Sequence, residues 1–209
     1  MGRRKTTELT ALGGESPTNG GKNTIDYSRP YIATVKIRGT SDLLFNKYDC
    51  DAVEVKARAA KGSAAKKTTD PETQVYRDDK KFLCIPGEYF RQSIIHAAKF
   101  KQDPRSPRKS AADLYKAGIV VLSDLCSLGL KKWDHLDRRR VTIGGKSAVP
   151  RERPCIKKGW EVELQVMVNL PEYIDRDTLH GVIADAGRLI GVGDFRPTFG
   201  RYAPVGFKV

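Results

Sequence analysis

No stretch of this 209-residue sequence comes near the roughly 18 consecutive apolar residues that span a bilayer as a helix. Its first residues, MGRRKTTELTALGGESPTNGGKN, lack the apolar block of a signal peptide. Cysteine is scarce: Cys50, Cys84, Cys126 and Cys155 lie far apart with no C-x-x-C pair. That spacing argues against a disulfide framework or a zinc site and for buried, reduced thiols in a cytoplasmic protein. Paired carboxylates, a nucleophile elbow and a metal-ligand cluster are missing too, which argues against a self-contained enzyme and against a cofactor. Acidic residues are few, 25 Asp+Glu against 38 Lys+Arg, giving a net charge of +13. A surface so basic attracts polyanions, and with no membrane segment the leading polyanion is nucleic acid.

The length suits one domain able to bury a core. Residues 1–24, rich in Gly, Ser, Thr and Asn, read as a flexible arm before a domain over 25–209. YIATVKIR (Tyr31 to Arg38) alternates and is β-branched, so it predicts a first strand. Phe82 to Ile85 reads as a short buried strand stopped by Pro86-Gly87. A helix over Glu88 to Lys99 follows, with Phe90, Ile94, Ala97 and Ala98 on one face. Ile119 to Leu122 and WEVELQVMV predict further strands, the latter with Trp160, Val162, Leu164, Val166 and Val168 on its inner side. Asp175 and Asp177 suit the start of a second helix that buries Leu179, Val182, Ile183, Ala186 and Ile190. Tyr202 to Val209 closes the chain as a strand.

Two basic stretches interrupt this order, at about 51–81 and 129–157. The first runs from strand-like AVEVKAR through AAKGSAAKKTTDPE to strand-like TQVYR and predicts a projecting hairpin. The second holds Arg138, Arg139, Arg140 and Gly144-Gly145-Lys146 in an irregular loop. Without them the order is strand, helix, strand, strand, helix, strand. That predicts an α+β, ferredoxin-like (RRM-like) βαββαβ domain, whose antiparallel sheet carries both helices on one face. RNA-recognition domains use such sheets.

The last helix and last strand are joined by GVGDFRPTFGRY, residues 191–202. Gly191-x-Gly193 invites the dinucleotide fingerprint, but Arg196 stands where the third glycine belongs, and the context runs helix to strand. A P-loop fails for want of G-K-S or G-K-T. A helix cap alone would need only Gly191. Gly191, Gly193 and Gly200 bracketing Phe195, Arg196, Phe199 and Arg201 instead predict close backbone approach and arginine contacts to phosphates.

Taken together, G-x-G-x(6)-G before the last strand, and Asp78-Asp79-Lys80, Ile85-Pro86-Gly87 and Arg91 in VYRDDKKFLCIPGEYFRQSIIHAAK, resemble the RAMP superfamily of CRISPR-associated RNA-binding proteins. The nearest match is to its guide-RNA-binding backbone subunits. The resemblance implies a sequence-independent grip on an RNA backbone, self-association along guide RNA, contact with target RNA and other effector subunits, and a place in antiviral defence. It implies that the 51–81 insertion is a β-hairpin thumb. Arg38, Lys56, Arg58, Tyr76, Arg91, Arg138, Arg139 and Arg140 then join the glycine-loop residues as RNA-binding candidates. Tyr76, Phe195 and Phe199 could stack on splayed bases. Some members cut RNA with an aspartate after the first strand, here Asp42, and others use a histidine, for which His96 is the candidate. An endoribonuclease and a single-stranded DNA-binding protein are therefore the alternatives.

Overall fold

The computed structural model describes residues 29–48, 50–60, 70–143 and 147–209. The arm expected over residues 1–24 lies outside them. The chain opens with β1 (Tyr31–Gly39), β2 (Leu43–Leu44) and α1 (Cys50–Arg58). After a 3-10 turn at Pro71–Gln74 come β3 (Tyr76–Arg77), β4 (Leu83–Pro86) and α2 (Gly87–Ala98). Next are β5 (Gln102–Asp103), β6 (Ser106–Ser110), α3 (Ala112–Gly118), β7 (Ile119–Val121) and β8 (Leu125–Ser127). The remainder comprises β9 (His135–Ile143), β10 (Ser147–Ile156), β11 (Glu161–Val168), α4 (Arg176–Asp185), a π-helical turn at Ala186–Ile190 and β12 (Tyr202–Lys208).

The central sheet runs β12-β1-β11-β7, and every pairing in it is antiparallel. Alternation decides its two faces. Ala33, Val35 and Ile37 of β1 point inward beside Val162, Leu164 and Val166 of β11, and all are buried. Phe90 and Ile94 of α2 and Leu179, Val182 and Ile183 of α4 complete the same core cluster. The α4 cap is as expected: Asp175 Oδ1 accepts the Thr178 N–H at 2.8 Å. Trp160 is buried, and its indole N–H donates to the Ser41 carbonyl at 3.0 Å. On the outward face Glu161 holds both Lys36 (2.8 Å) and Arg38 (2.6 Å).

Smaller sheets flank this one, β2-β10-β9 and β3-β4-β8, together with a β5-β6 hairpin. Cys84, Cys126 and Cys155 are buried free thiols, whereas Cys50 is exposed.

Two expectations need correction. AVEVKAR is not a thumb strand but lies in the helix α1. Its alternation rests on two valines only, while Ala, Glu, Lys and Arg favour a helix, and Glu54 pairs with Arg58 one turn on at 3.3 Å. The 129–157 stretch is not an irregular loop: β9 and β10 pair antiparallel from His135↔Cys155 to Ile143↔Ser147. The long basic hairpin therefore stands in the second insertion, and the first contributes a helix.

Candidate nucleic-acid interface

The glycine loop is folded against its own chain. Gly191 N–H closes the π-helical turn onto the Ala186 carbonyl at 2.8 Å, and Val192 N–H donates to Gly200 O at 2.9 Å, pinching the loop shut. Gly200 N–H donates to the Asp42 carbonyl at 2.7 Å and Asp194 N–H to the Leu44 carbonyl at 3.0 Å. A Cβ on Gly200 would lie 1.7 Å from Val192 O, and one on Gly193 would lie 2.6 Å from Leu44 O. Both residues also have positive φ, +71° and +77°. The close approach that demands glycine is thus to the neighbouring backbone of β2 and of the loop itself. With their N–H groups bonded within the chain and their positions buried, Gly191 and Gly200 do not offer the expected backbone contact to phosphate.

What the loop turns outward is side chain. Phe195 is exposed and Arg196 and Arg201 are exposed, while Phe199 is buried. The β9–β10 ribbon packs on this loop. Cross-strand partners share a face, so Asp137, Arg139, Arg151 and Arg153 lie on one side of the ribbon, and Arg138, Arg140 and Glu152 on the other. The Arg139 guanidinium sits 4.4 Å from the centroid of the Phe199 ring and 5.7 Å from that of Phe195. Buried Arg153 forms an ion pair with Asp194 and lies 5.9 Å from the Phe195 centroid. Arg139 thereby works as a fastener of the ribbon. Arg138 is left exposed beside Glu152 at 3.6 Å. Arg140, Arg151, Arg196 and Arg201 are exposed and form no ion pair among the described residues.

Other candidates hold structural posts. Arg91 donates to the Lys116 carbonyl at 2.6 Å and to the Ile119 carbonyl at 3.2 Å, joining α2 to the end of α3. Arg38 is held by Glu161 and Arg58 by Glu54. The side chain of Lys56 lies outside what the structure describes. The Asp42 carboxylate accepts the Lys158 N–H at 2.9 Å, fixing the junction between β1, β11 and the glycine loop.

The glycine loop and the I-P-G segment meet around a cavity of about 340 Å³. Leu43, Ile85 and Pro86 form apolar wall, and Tyr76, Tyr89 and His96 bring polar groups. Gly193, Asp194 and Arg196 close it on the loop side. A shallower depression of about 480 Å³ continues past Arg196 toward Leu189 and Phe195, sharing His96, Gly193, Asp194 and Arg196 with the cavity. Tyr76 and Tyr89 hydroxyls are 3.1 Å apart, their rings edge-on at 6.0 Å, and Lys47 lies 5.5 Å from the Tyr76 centroid. Burial, then the bond to Tyr76, pushes the Tyr89 phenol well above its ordinary range. His96 is held below its ordinary value of 6.5 by burial first and then by the positive charges of Lys99 and Arg196, so its imidazole is neutral at pH 7. The thiol of Cys84 in the wall is raised by burial, which leaves it a poor nucleophile. Among the described residues no group of three His, Cys, Asp or Glu could hold a metal ion.

Tyr89 and Gln92 were not singled out by sequence. Tyr89, Gln92 and His96 recur at helical spacing beside the apolar stripe of α2, and that second stripe was the available signal.

No family model matches the chain, and no curated protein matches its sequence. Among solved structures the chain is similar to Cmr6 from Pyrococcus furiosus, at 11% identity and a TM-score of 0.43, over 88% of this chain and 100% of that one. It is also similar to a chain of the Type III-B Cmr-beta complex bound to cognate target RNA, at 11% identity and a TM-score of 0.48. That match covers 87% of this chain and 61% of the other. Both scores are below 0.5, so function rests on the geometry of the chain itself.

Proposed function

We propose that this protein is a sequence-independent RNA-backbone-binding subunit, of the kind that assembles along a guide RNA in a CRISPR-type effector. In this reading β1, α2, β7, β11, α4 and β12 form a ferredoxin-like frame in one domain over 25–209, and the β9–β10 ribbon is its basic projection. The observation that carries it is the joining of ribbon and glycine loop through Arg139, Phe199, Arg153 and Asp194. That union sets Arg140, Arg151, Arg196 and Arg201 on adjoining elements with no carboxylate neutralising them among the described residues. Exposed, unpaired arginines are suited to bidentate phosphate contacts whatever the base sequence.

The test is a salt titration of binding to labelled RNA and DNA oligonucleotides. Arg140→Ala, Arg151→Ala and Arg196→Ala are each expected to flatten the slope of log K against log salt by about 0.7. Slopes that stay at the wild-type value, or tighter binding to DNA than to RNA, would refute the proposal.

One observation favours a second reading, an endoribonuclease: neutral His96 shares a cavity with Arg196. Asp42 lines no part of that cavity, and its carboxylate already accepts a backbone N–H. RNA cleavage that disappears in His96→Ala would replace the binding reading by the nuclease one.

A further inference from the structure

We infer that the cavity between the I-P-G segment and the glycine loop receives one unstacked nucleotide of the bound RNA, its base inside and its phosphate on Arg196. The inference rests on the RNA-binding reading and adds a specific ligand subsite to it.

Size comes first. About 340 Å³ is at the lower end of small-ligand pockets, enough for one nucleoside-sized group and too little for stacked bases. Wall chemistry comes next. Leu43, Ile85 and Pro86 supply flat apolar contact, and Tyr89 with Tyr76 gives an aromatic edge. Asn46, Gln92 and neutral His96 offer both donors and acceptors for a base edge. Gln92 already donates through Nε2 to Glu88 at 2.6 Å, which leaves its carbonyl oxygen to accept from a ligand.

Charge decides the rest. Among the described residues Asp194 is the cavity's only carboxylate, and it is neutralised by Arg153 while its Oδ1 accepts the Phe195 N–H at 2.9 Å. Arg196 has no such partner among the described residues, so the mouth of the cavity they form is net cationic. An apolar, hydrogen-bonding interior with a cation at its rim matches a base joined to a phosphate. The adjoining depression, bordered by exposed Phe195, gives the following nucleotide a path out.

The experiment titrates the full chain with AMP, CMP and ribose 5-phosphate by calorimetry, beside the long-RNA binding assay. The nucleotides are expected to bind at least about tenfold more tightly than ribose 5-phosphate. Gln92→Trp, which fills the cavity from an α2 position that is only half-buried, is expected to remove that preference. Asn46→Trp, from the exposed rim, serves the same purpose should the first variant fail to fold. Arg196→Ala is expected to weaken nucleotides and ribose 5-phosphate alike. Equal affinity for nucleotides and ribose 5-phosphate overturns the inference, as does a preference that survives both tryptophans. Failure of the wild type to bind long RNA would instead refute the RNA-binding reading, independently of the cavity result.

Discussion

Arg153→Met tests whether the ribbon is fastened to the glycine loop by a buried charge pair. The Arg153 side chain is 7% exposed and that of its partner Asp194 is 27% exposed. The two charges meet without hydrogen-bond geometry, and Arg153 Nη1 has no hydrogen-bond partner among the described residues. Removing one member of a buried pair leaves the other charge uncompensated and costs about 3–5 kcal/mol, with the partial exposure of Asp194 favouring the lower figure. In a protein of this size each kcal/mol lowers the melting temperature by about 2–4 °C, so the fall is roughly 6–20 °C. The assay is thermal unfolding followed by circular dichroism. The double variant Arg153→Met/Asp194→Leu is expected to recover most of the loss, because the pair is only partly compensated for its own desolvation. A single variant within about 1 kcal/mol of wild type, or a double variant as unstable as the single, would refute the reasoning.

Gly200→Ala and Gly129→Ala form a matched pair. Both glycines have positive φ, +71° and +67°, but a Cβ at Gly200 meets Val192 O at 1.7 Å and one at Gly129 meets nothing within 4 Å. Gly129→Ala is expected to lose about 1–2 kcal/mol for its backbone conformation. Gly200→Ala should lose distinctly more, and equal losses in a denaturant titration would show that the close contact is unimportant. His96 makes a prediction about pH. Its folded-state value lies below the ordinary 6.5, so the unfolded chain binds more protons over that interval. Stability is therefore lost as pH falls through about 6.5 toward the folded value, and melting temperatures of His96→Gln should fall less over that range than those of wild type.

Much of the fold could be read from local pattern. β1 and β11 alternate cleanly because one side faces the helices and the other water, and Asp175 announces the start of α4. The ribbon escaped notice for a physical reason. On its loop-facing side Arg139 and Arg153 take the place an apolar residue would occupy, covering Phe199 and Phe195 with guanidinium planes. Hydropathy alternation is blind to that substitution. The remaining signal in the sequence was Gly144-Gly145 directly after the β-branched run VTI, a pattern that predicts a strand followed by a turn. α1 escaped for the opposite reason, since two alternating valines in a nine-residue helix mimic a strand.

The glycine motif carries the main lesson about function. Three positive-φ glycines between a helix and a strand invite the idea of backbone contact with a ligand, as in phosphate-binding loops. Here they allow the loop to lie on Leu44 and on itself, and I-P-G has the same cause, since a Cβ on Gly87 would stand 1.9 Å from Ser123 O. Both motifs are requirements of packing, and their packing builds the cavity. A glycine that lets two backbones touch brings the flanking side chains to fixed places, and so Arg196 meets Tyr89 and His96 across a wall of Leu43 and Pro86. On the proposed RNA-binding reading, substituting the glycines would abolish binding by undoing the loop, whereas substituting Arg196 or Gln92 would change binding with the fold retained. Only the second kind of variant tests whether the cavity takes the nucleotide proposed for it.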